Sequence, residues 1–151
     1  LPICCSELRL HHCIPAWAAS ENAGFTTGTP WLALNPNYNK INVADQLKRE
    51  DSVFHYYQKL IKLRKEYEII VYGKYELLLP DDEHIFAYVR TLGNQKLLVV
   101  CNFSKAEQKF DFTGYENAKI LISNYDGNIS EKATLKPYSA IALLLDDAQK
   151  M

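Results

Sequence analysis

The sequence predicts a mostly β protein: an antiparallel β-sandwich preceded by an irregular loop and one amphipathic helix. Three observations predict it. From residue 69 onward, six closely spaced runs rich in Val, Ile, Tyr and Leu follow one another with no helix between them, and strands joined without helices pair antiparallel. Before them, residues 52–65 repeat their apolar positions with a helical period. Earlier still, residues 20–38 show neither period.

The elements follow in order. Residues 1–19, LPICCSELRLHHCIPAWAA, are dense in Cys and His and hold no period for two turns, so they are expected to stand outside the fold. Residues 20–38, SENAGFTTGTPWLALNPNY, form the irregular segment. So long a stretch without period is unusual in a compact domain unless it packs or works. Asn42 is placed to cap a short helix carrying Val43 and Leu47.

The main helix is expected over 52–65. Asp51 or Ser52 supplies a side-chain oxygen for the first free amides, and Glu50 and Asp51 suit the positive end of the helix dipole. Val53, Tyr56, Tyr57, Leu60, Ile61 and Arg64 fall on one face, which Phe54 and Leu63 widen. Lys59, Lys62, Arg64 and Lys65 place positive charge toward the C-terminal end, which the dipole also favours.

Strands are expected over 69–79 (interrupted by Gly73), 84–92, 96–103, 108–112, 118–125 and 134–145. Gly93-Asn94 reads as a two-residue hairpin turn. Asp126-Gly127 and Lys136-Pro137 are further turn or edge signals. Ile85, Ala87 and Val89 alternate with Phe86, Tyr88 and Arg90. Both faces carry bulk, as expected where a second layer covers the sheet. Residues 146–151 read as a frayed tail. The chain therefore divides into 1–19, a loop-and-helix part over 20–68, and an all-β domain over 69–151.

Composition narrows the function. A net charge of −1 gives no electrostatic case for nucleic acid or an anionic membrane surface. No run approaches the length of a transmembrane helix. Residues 1–5 are too short an apolar run for a signal peptide and are followed by Glu7, Arg9, His11 and His12. Cys4, Cys5 and Cys13 crowd the start and Cys101 stands alone, which is not a disulfide framework. The expected location is cytoplasmic. Ten tyrosines, six phenylalanines and two tryptophans fit sheet faces first and sugar contacts second.

With that order of elements, SENAGFTTGTPWLALNPNY, INV, DSVFHYYQKLIKLRKEYEII, VYGKYELLL, ILISNYD and TLKPYSA together resemble the C-terminal portion of oligo-1,6-glucosidases and related α-glucosidases of glycoside hydrolase family 13. Dextran glucosidases and trehalose-6-phosphate hydrolases share much of the pattern. The resemblance runs from about residue 20 to 145. It implies a (β/α)8 barrel followed by a small antiparallel β-domain, with 21–49 as the loop after the eighth barrel strand. Residues 52–65 would be the eighth barrel helix and 72–145 the C-terminal β-domain of an α-amylase-family enzyme.

The resemblance further implies hydrolysis of α-glucosidic bonds in short oligosaccharides with retention. That chemistry needs a carboxylate nucleophile and a carboxyl acid/base about 5–5.5 Å apart, with a third carboxylate assisting. In the family these follow barrel strands four, five and seven, so they are expected upstream of residue 1. One departure stands out. Relatives carry Arg-Thr-Pro-Met-Gln-Trp-Asp just before this segment. Here residues 13–19 read CIPAWAA, where Pro15 and Trp17 agree and the Arg, Gln and Asp are missing. No catalytic, substrate-binding, cofactor or metal residue is therefore assigned in this chain, no cofactor is expected, and the chain alone is expected to be inactive.

Other clusters read as structural. Cys4, Cys5, His11, His12 and Cys13 lack metal-site spacing. Tyr56 and Tyr57 are expected to pack and His55 to cap or lie exposed, since barrel helices face away from the active site. Asp81, Asp82 and Glu83 follow Pro80 as a solvated turn without a calcium-loop pattern. Phe25, Trp31 and Tyr38 either pin the loop to a barrel or form a sugar platform. Cys101 is a buried strand residue. No phosphate loop has the required strand–glycine–helix context. Two readings remain: an enzyme fragment whose α-linked gluco-oligosaccharide belongs to the parent enzyme, or a stand-alone β-sandwich module binding carbohydrate or protein. The helix stripe discriminates them. It belongs on barrel strands in the first, where its exposure would allow self-association, and beneath the module's own strands in the second.

Overall fold

A computed structural model of the chain describes residues 16–125 and 132–146. Two compact units, Leu1–Lys59 and Leu60–Met151, divide it. The Asp126-Gly127 turn, the 147–151 tail and the Cys and His of residues 4–13 lie outside the described residues.

In the first unit the chain is held by local polar bonds. Residues 16–18, expected to stand apart, are part of this fold. The amides of Trp17 and Ala18 donate to the Ala23 carbonyl at 2.9 and 3.0 Å. The carbonyls of Ala16 and Trp17 accept from the amides of Val43 and Ala44. Asn42 starts helix α1 (Val43–Gln46): its Oδ1 accepts from the Asp45 amide at 2.9 Å, and its Nδ2 donates to the Tyr38 carbonyl at 3.0 Å. That cap satisfies an otherwise free amide and ties the loop to the helix, with Asn42 buried.

Helix α2 (Val53–Glu66) forms where the apolar period predicts it. Ser52 is its cap, accepting from the His55 amide at 3.3 Å and donating to the Gln46 carbonyl at 2.7 Å. Asp51 instead pairs with Arg49 at 3.3 Å.

In the second unit, residues 69–72 are not the start of a strand. They form the helical turn α3 (Ile69–Tyr72). Strand propensity in Ile-Ile-Val-Tyr is overridden because the turn buries Ile69 completely. Gly73 then breaks it, leading into β1 (Lys74–Leu78). A Cβ at Gly73 would lie 2.5 Å from the Ile69 carbonyl oxygen, so only glycine fits.

The strands are β2 (Ile85–Leu92), β3 (Gln95–Asn102), β4 (Gln108–Asp111), β5 (Lys119–Ser123), β6 (Lys132–Leu135) and β7 (Ala140–Asp146). A five-stranded antiparallel sheet has the order β1-β2-β3-β7-β5, and β4-β6 form a two-stranded antiparallel sheet. The Gly93-Asn94 hairpin forms with Leu92 opposite Gln95. Of the pair only Gly93 has positive φ, 56°, the pattern of a type II′ turn. The single run expected over 134–145 is two strands in different sheets. Pro137 removes a donor and Tyr138 turns at φ 56°.

Each face of the large sheet has its own cluster. Ile85, Ala87, Leu98, Val100 and Leu143 meet Phe112 and Leu135, which the small sheet carries or adjoins. This is the sandwich core. On the opposite face Leu97, Leu121 and Leu144 meet Ile69, with Leu63, Tyr67 and Ile70 beside it. Asn102, 1% exposed, ties the corners. Its Nδ2 donates to the carbonyls of Ala106, Leu135 and Lys136, and its Oδ1 accepts from the Ser104 amide and hydroxyl.

Candidate functional site

The irregular segment owes its shape to three consecutive left-handed residues: Asn22 (φ 52°), Ala23 (φ 55°) and Gly24 (φ 67°). Glycine takes this conformation freely and asparagine tolerates it, but alanine pays for its Cβ. The Asn22 side-chain Nδ2 holds the turn by donating to the carbonyls of Thr26 at 3.2 Å and Gly28 at 3.0 Å. Ala23 is buried beneath it. Strained backbone that persists under such constraint is a marker of functional loops. Here it forms one wall of an open concavity of about 590 Å³ lined by Ser20, Glu21, Gly24, Phe25, Thr26 and Thr27.

The aromatic trio does not assemble into one platform. Trp31 is 88% exposed and Phe25 is 48% exposed, while Tyr38 is half-buried and lends its carbonyl to Asn42. On α2, Tyr56 is half-buried and Tyr57 is 63% exposed, so neither is fully buried among the described residues. His55 acts at the helix start, its Nδ1 lying 2.8 Å from the Arg49 carbonyl oxygen and 3.0 Å from the Ser52 hydroxyl.

The carboxylates are engaged in local structure. Asp82 Oδ1 accepts from the amides of Ile85 at 2.7 Å and His84 at 2.8 Å, which holds its carboxyl below the usual range. It organises the turn into β2, with Asp81 and Glu83 exposed beside it. Cys101 is half-buried, and burial pushes its thiol pKa up, opposite to what a reactive cysteine needs. Among the described residues no group of three His, Cys, Asp or Glu side chains is placed to hold a metal ion. No helix among them is long and apolar enough to cross a membrane.

The sheet adds a feature that sequence reasoning missed. Tyr75, Phe86, Tyr88 and Phe103 form a continuous band on one face, with ring centroids 5.2 Å (Tyr75–Tyr88), 5.7 Å (Phe86–Tyr88) and 6.3 Å (Phe86–Phe103) apart. Leu77, opposite Tyr88, extends it. The alternation in β2 carried the signal. What it could not reveal was that Phe86 and Phe103 stay 41% and 66% exposed among the described residues.

Comparison with known proteins places these elements. The α-amylase catalytic-domain family (Alpha amylase, catalytic domain) matches residues 11–73. The family described as Alpha-amylase SusG C-terminal domain matches residues 85–142. Oligo-1,6-glucosidase of Parageobacillus thermoglucosidasius is 52% identical over 130 residues, 82% of this chain and 23% of that protein. Oligo-1,6-glucosidase of Bacillus cereus is 49% identical over 135 residues, 85% of this chain and 24% of that protein. The chain belongs to the α-amylase family, glycoside hydrolase family 13.

Solved structures agree with the assignment. Trehalose-6-phosphate hydrolase of Bacillus licheniformis superposes with a TM-score of 0.79 at 42% identity, covering 88% of this chain and 25% of that one. Isomaltulose synthase of Erwinia rhapontici NX5 gives 0.79 at 40% identity, covering 87% and 24%. This α-amylase-family chain thus spans about a quarter of the length of the relatives it matches, and it corresponds to their C-terminal region. The catalytic-domain match takes in the strained loop, α1, α2 and α3. The C-terminal-domain match runs from β2 into β7. The catalytic-domain match begins at residue 11 and so includes part of the segment that sequence reading set apart.

Proposed function

We propose that this chain is the C-terminal part of an α-glucosidase that hydrolyses α-glucosidic bonds in short gluco-oligosaccharides with retention, and that it performs no chemistry alone. The observation that carries this reading is the 52% identity to an oligo-1,6-glucosidase over 130 residues. In this reading residues 20–68 are the last loop and helix of a (β/α)8 barrel, and residues 69–151 the β-domain that follows. The catalytic carboxylates belong to the remainder of the parent, which acts in the cytoplasm. Supporting it, the carboxylates of Asp51 and Asp82 hold ordinary turns and helix ends rather than a paired site. Val53, Tyr57 and Ile61 lie exposed on α2. In the chain alone that stripe drives self-association; in the parent it is covered.

One observation favours the stand-alone binding module instead: Leu63 and Tyr67, at the end of α2, pack against the sheet's own cluster. The two readings part in a chimera of the P. thermoglucosidasius oligo-1,6-glucosidase whose matching region is replaced by this chain. The glucosidase reading expects the folded chimera to hydrolyse isomaltose. A folded chimera without activity, together with retention of this chain on immobilised maltodextrin, would transfer the case to the module.

A further inference from the structure

We propose that the concavity walled by the strained turn binds a glucosyl unit of the substrate other than the one whose bond is broken, with Phe25 as its stacking face and Glu21 as its hydroxyl acceptor. The proposal rests on the glucosidase reading above and adds to it a specificity-determining site carried by this chain.

The turn holds its shape without a ligand. The Ala23 carbonyl accepts from the amides of both Trp17 and Ala18, and the carbonyls of Ala16 and Trp17 in turn accept from the amides at the start of α1. The Asn22 Nδ2 bonds to the carbonyls of Thr26 and Gly28 fix the other side. Gly24 leaves the concavity room: a Cβ there would lie 3.2 Å from Ser20 Oγ and 3.3 Å from Ala18 Cβ. Glu21 and Phe25 thus flank three left-handed residues whose backbone is set in advance. Such preorganisation removes an ordering cost from binding. The place also fits. In the glucosidase reading this segment belongs to the loop after the last barrel strand, and the loops that follow barrel strands share the face carrying the active site.

The chemistry of the lining selects a sugar. One aromatic ring, Phe25, stands 48% exposed among Ser20, Glu21, Thr26 and Thr27. Glu21 is exposed and forms no ion pair among the described residues, and the Ser20 hydroxyl makes no capping bond to the turn. A glucosyl ring carries C–H groups on its faces and hydroxyls around its edge. The faces match an aromatic surface, and the edge matches a carboxylate acceptor beside small hydroxyls. The volume of about 590 Å³ falls within the range of small-molecule sites. A covering protein layer fits less well. The α2 stripe of Val53, Tyr57 and Ile61 is apolar, as a surface to be covered by protein should be. A layer closing over the concavity would instead strip water from the Glu21 carboxylate, which is costly unless the charge is paired. An anionic ligand would meet that same negative charge.

The test compares two substrates in the chimera described above: isomaltose, which has a second glucosyl unit, and α-glucosyl fluoride, which has none. Phe25→Ala should raise KM for isomaltose roughly three- to tenfold, the effect of losing one aromatic contact, and leave kcat/KM for the fluoride unchanged. Glu21→Gln should shift the isomaltose KM in the same direction and spare the fluoride. Phe25→Trp, which keeps an aromatic face, should restore the isomaltose KM. Unchanged kinetics on isomaltose in Phe25→Ala would overturn the inference and leave the glucosidase reading intact. So would equal losses on both substrates, which would give the turn a purely structural role. A folded chimera inactive before substitution would overturn the glucosidase reading itself. Should the chimera not accumulate, the isolated full chain decides. Its amide resonances from Gly24 to Thr27 are followed by NMR with isomaltose at about 10 mM, enough to fill most of a site of millimolar Kd. Saturable shifts that Phe25→Ala weakens support the site, and amides that do not move contradict it.

Discussion

Arg90 on β2 places its Nη2 2.9 Å from the carbonyl oxygen of Gly73 and 3.2 Å from that of Val71. One guanidinium thus closes the exposed carbonyl end of α3 and fixes where β1 begins. A charged donor is suited to this task because helix ends leave carbonyls without partners and carry partial negative charge. Arg90→Met keeps much of the stem and removes the donors. It should destabilise the β-domain by about 1.5–3 kcal/mol, the range for hydrogen bonds to charged groups. Gly73→Ala should cost about 1–3 kcal/mol by overpacking against the Ile69 carbonyl. Denaturant titration of both variants checks this, and a midpoint unchanged in both would contradict it.

Two faces of one sheet should respond differently to truncation. Leu98 is 1% exposed and belongs to the sandwich core, whereas Phe86 is 41% exposed in the open band. In the isolated chain Leu98→Ala should cost about 2–5 kcal/mol, and Phe86→Ala about 0.5 kcal/mol or less. Equal losses in equilibrium unfolding would show that the band is covered.

Asn102 cannot be replaced by its own acid without cost. Its amide nitrogen faces the carbonyls of Ala106, Leu135 and Lys136. In Asn102→Asp an ionised carboxylate would meet those oxygens, so the native state favours the protonated acid and its pKa rises on folding. The variant is therefore most stable below the ordinary aspartate pKa, about 4, and loses stability as pH rises through the folded value. Unfolding curves at acid and neutral pH test the sign. Greater stability at neutral pH would refute it.

Asp82 should act in the opposite sense. The amides of Ile85 and His84 hold its carboxyl below the usual value, so its contribution is present above about pH 4 and is lost as pH falls through the depressed folded pKa. Asp82→Asn should remove that part of the acid dependence. Comparing the two proteins from pH 6 down to pH 2 checks it; parallel acid profiles would contradict the assignment.

What the sequence revealed was set by local chemistry. The amphipathic stripe and a cap at Asp51 or Ser52 place α2 to within one residue, because helical period and capping are short-range, and the structure selects Ser52. The Gly93-Asn94 turn and the Asn42 cap were legible for the same reason. Ile69–Tyr72 was not, since its strand propensity is outweighed by burying Ile69 in a cluster whose other members are distant in sequence. Nor was the assignment of β6 and β7 to different sheets, which depends on which strands they pair with. In the candidate loop the aromatic residues were visible, but the run of positive φ from Asn22 to Gly24 was not, because Ala23 gives no signal for that conformation. The open band escaped for a different reason: alternation tells which residues share a face, not whether anything covers them.

The proposed function makes this chain the C-terminal part of a glucosidase that does no chemistry alone. The most direct measurement is an assay of the purified chain against isomaltose, maltose and a chromogenic α-glucoside. The account predicts no turnover above a blank prepared in the same way. Turnover that follows this chain through successive purification steps and rises in proportion to its concentration would contradict it.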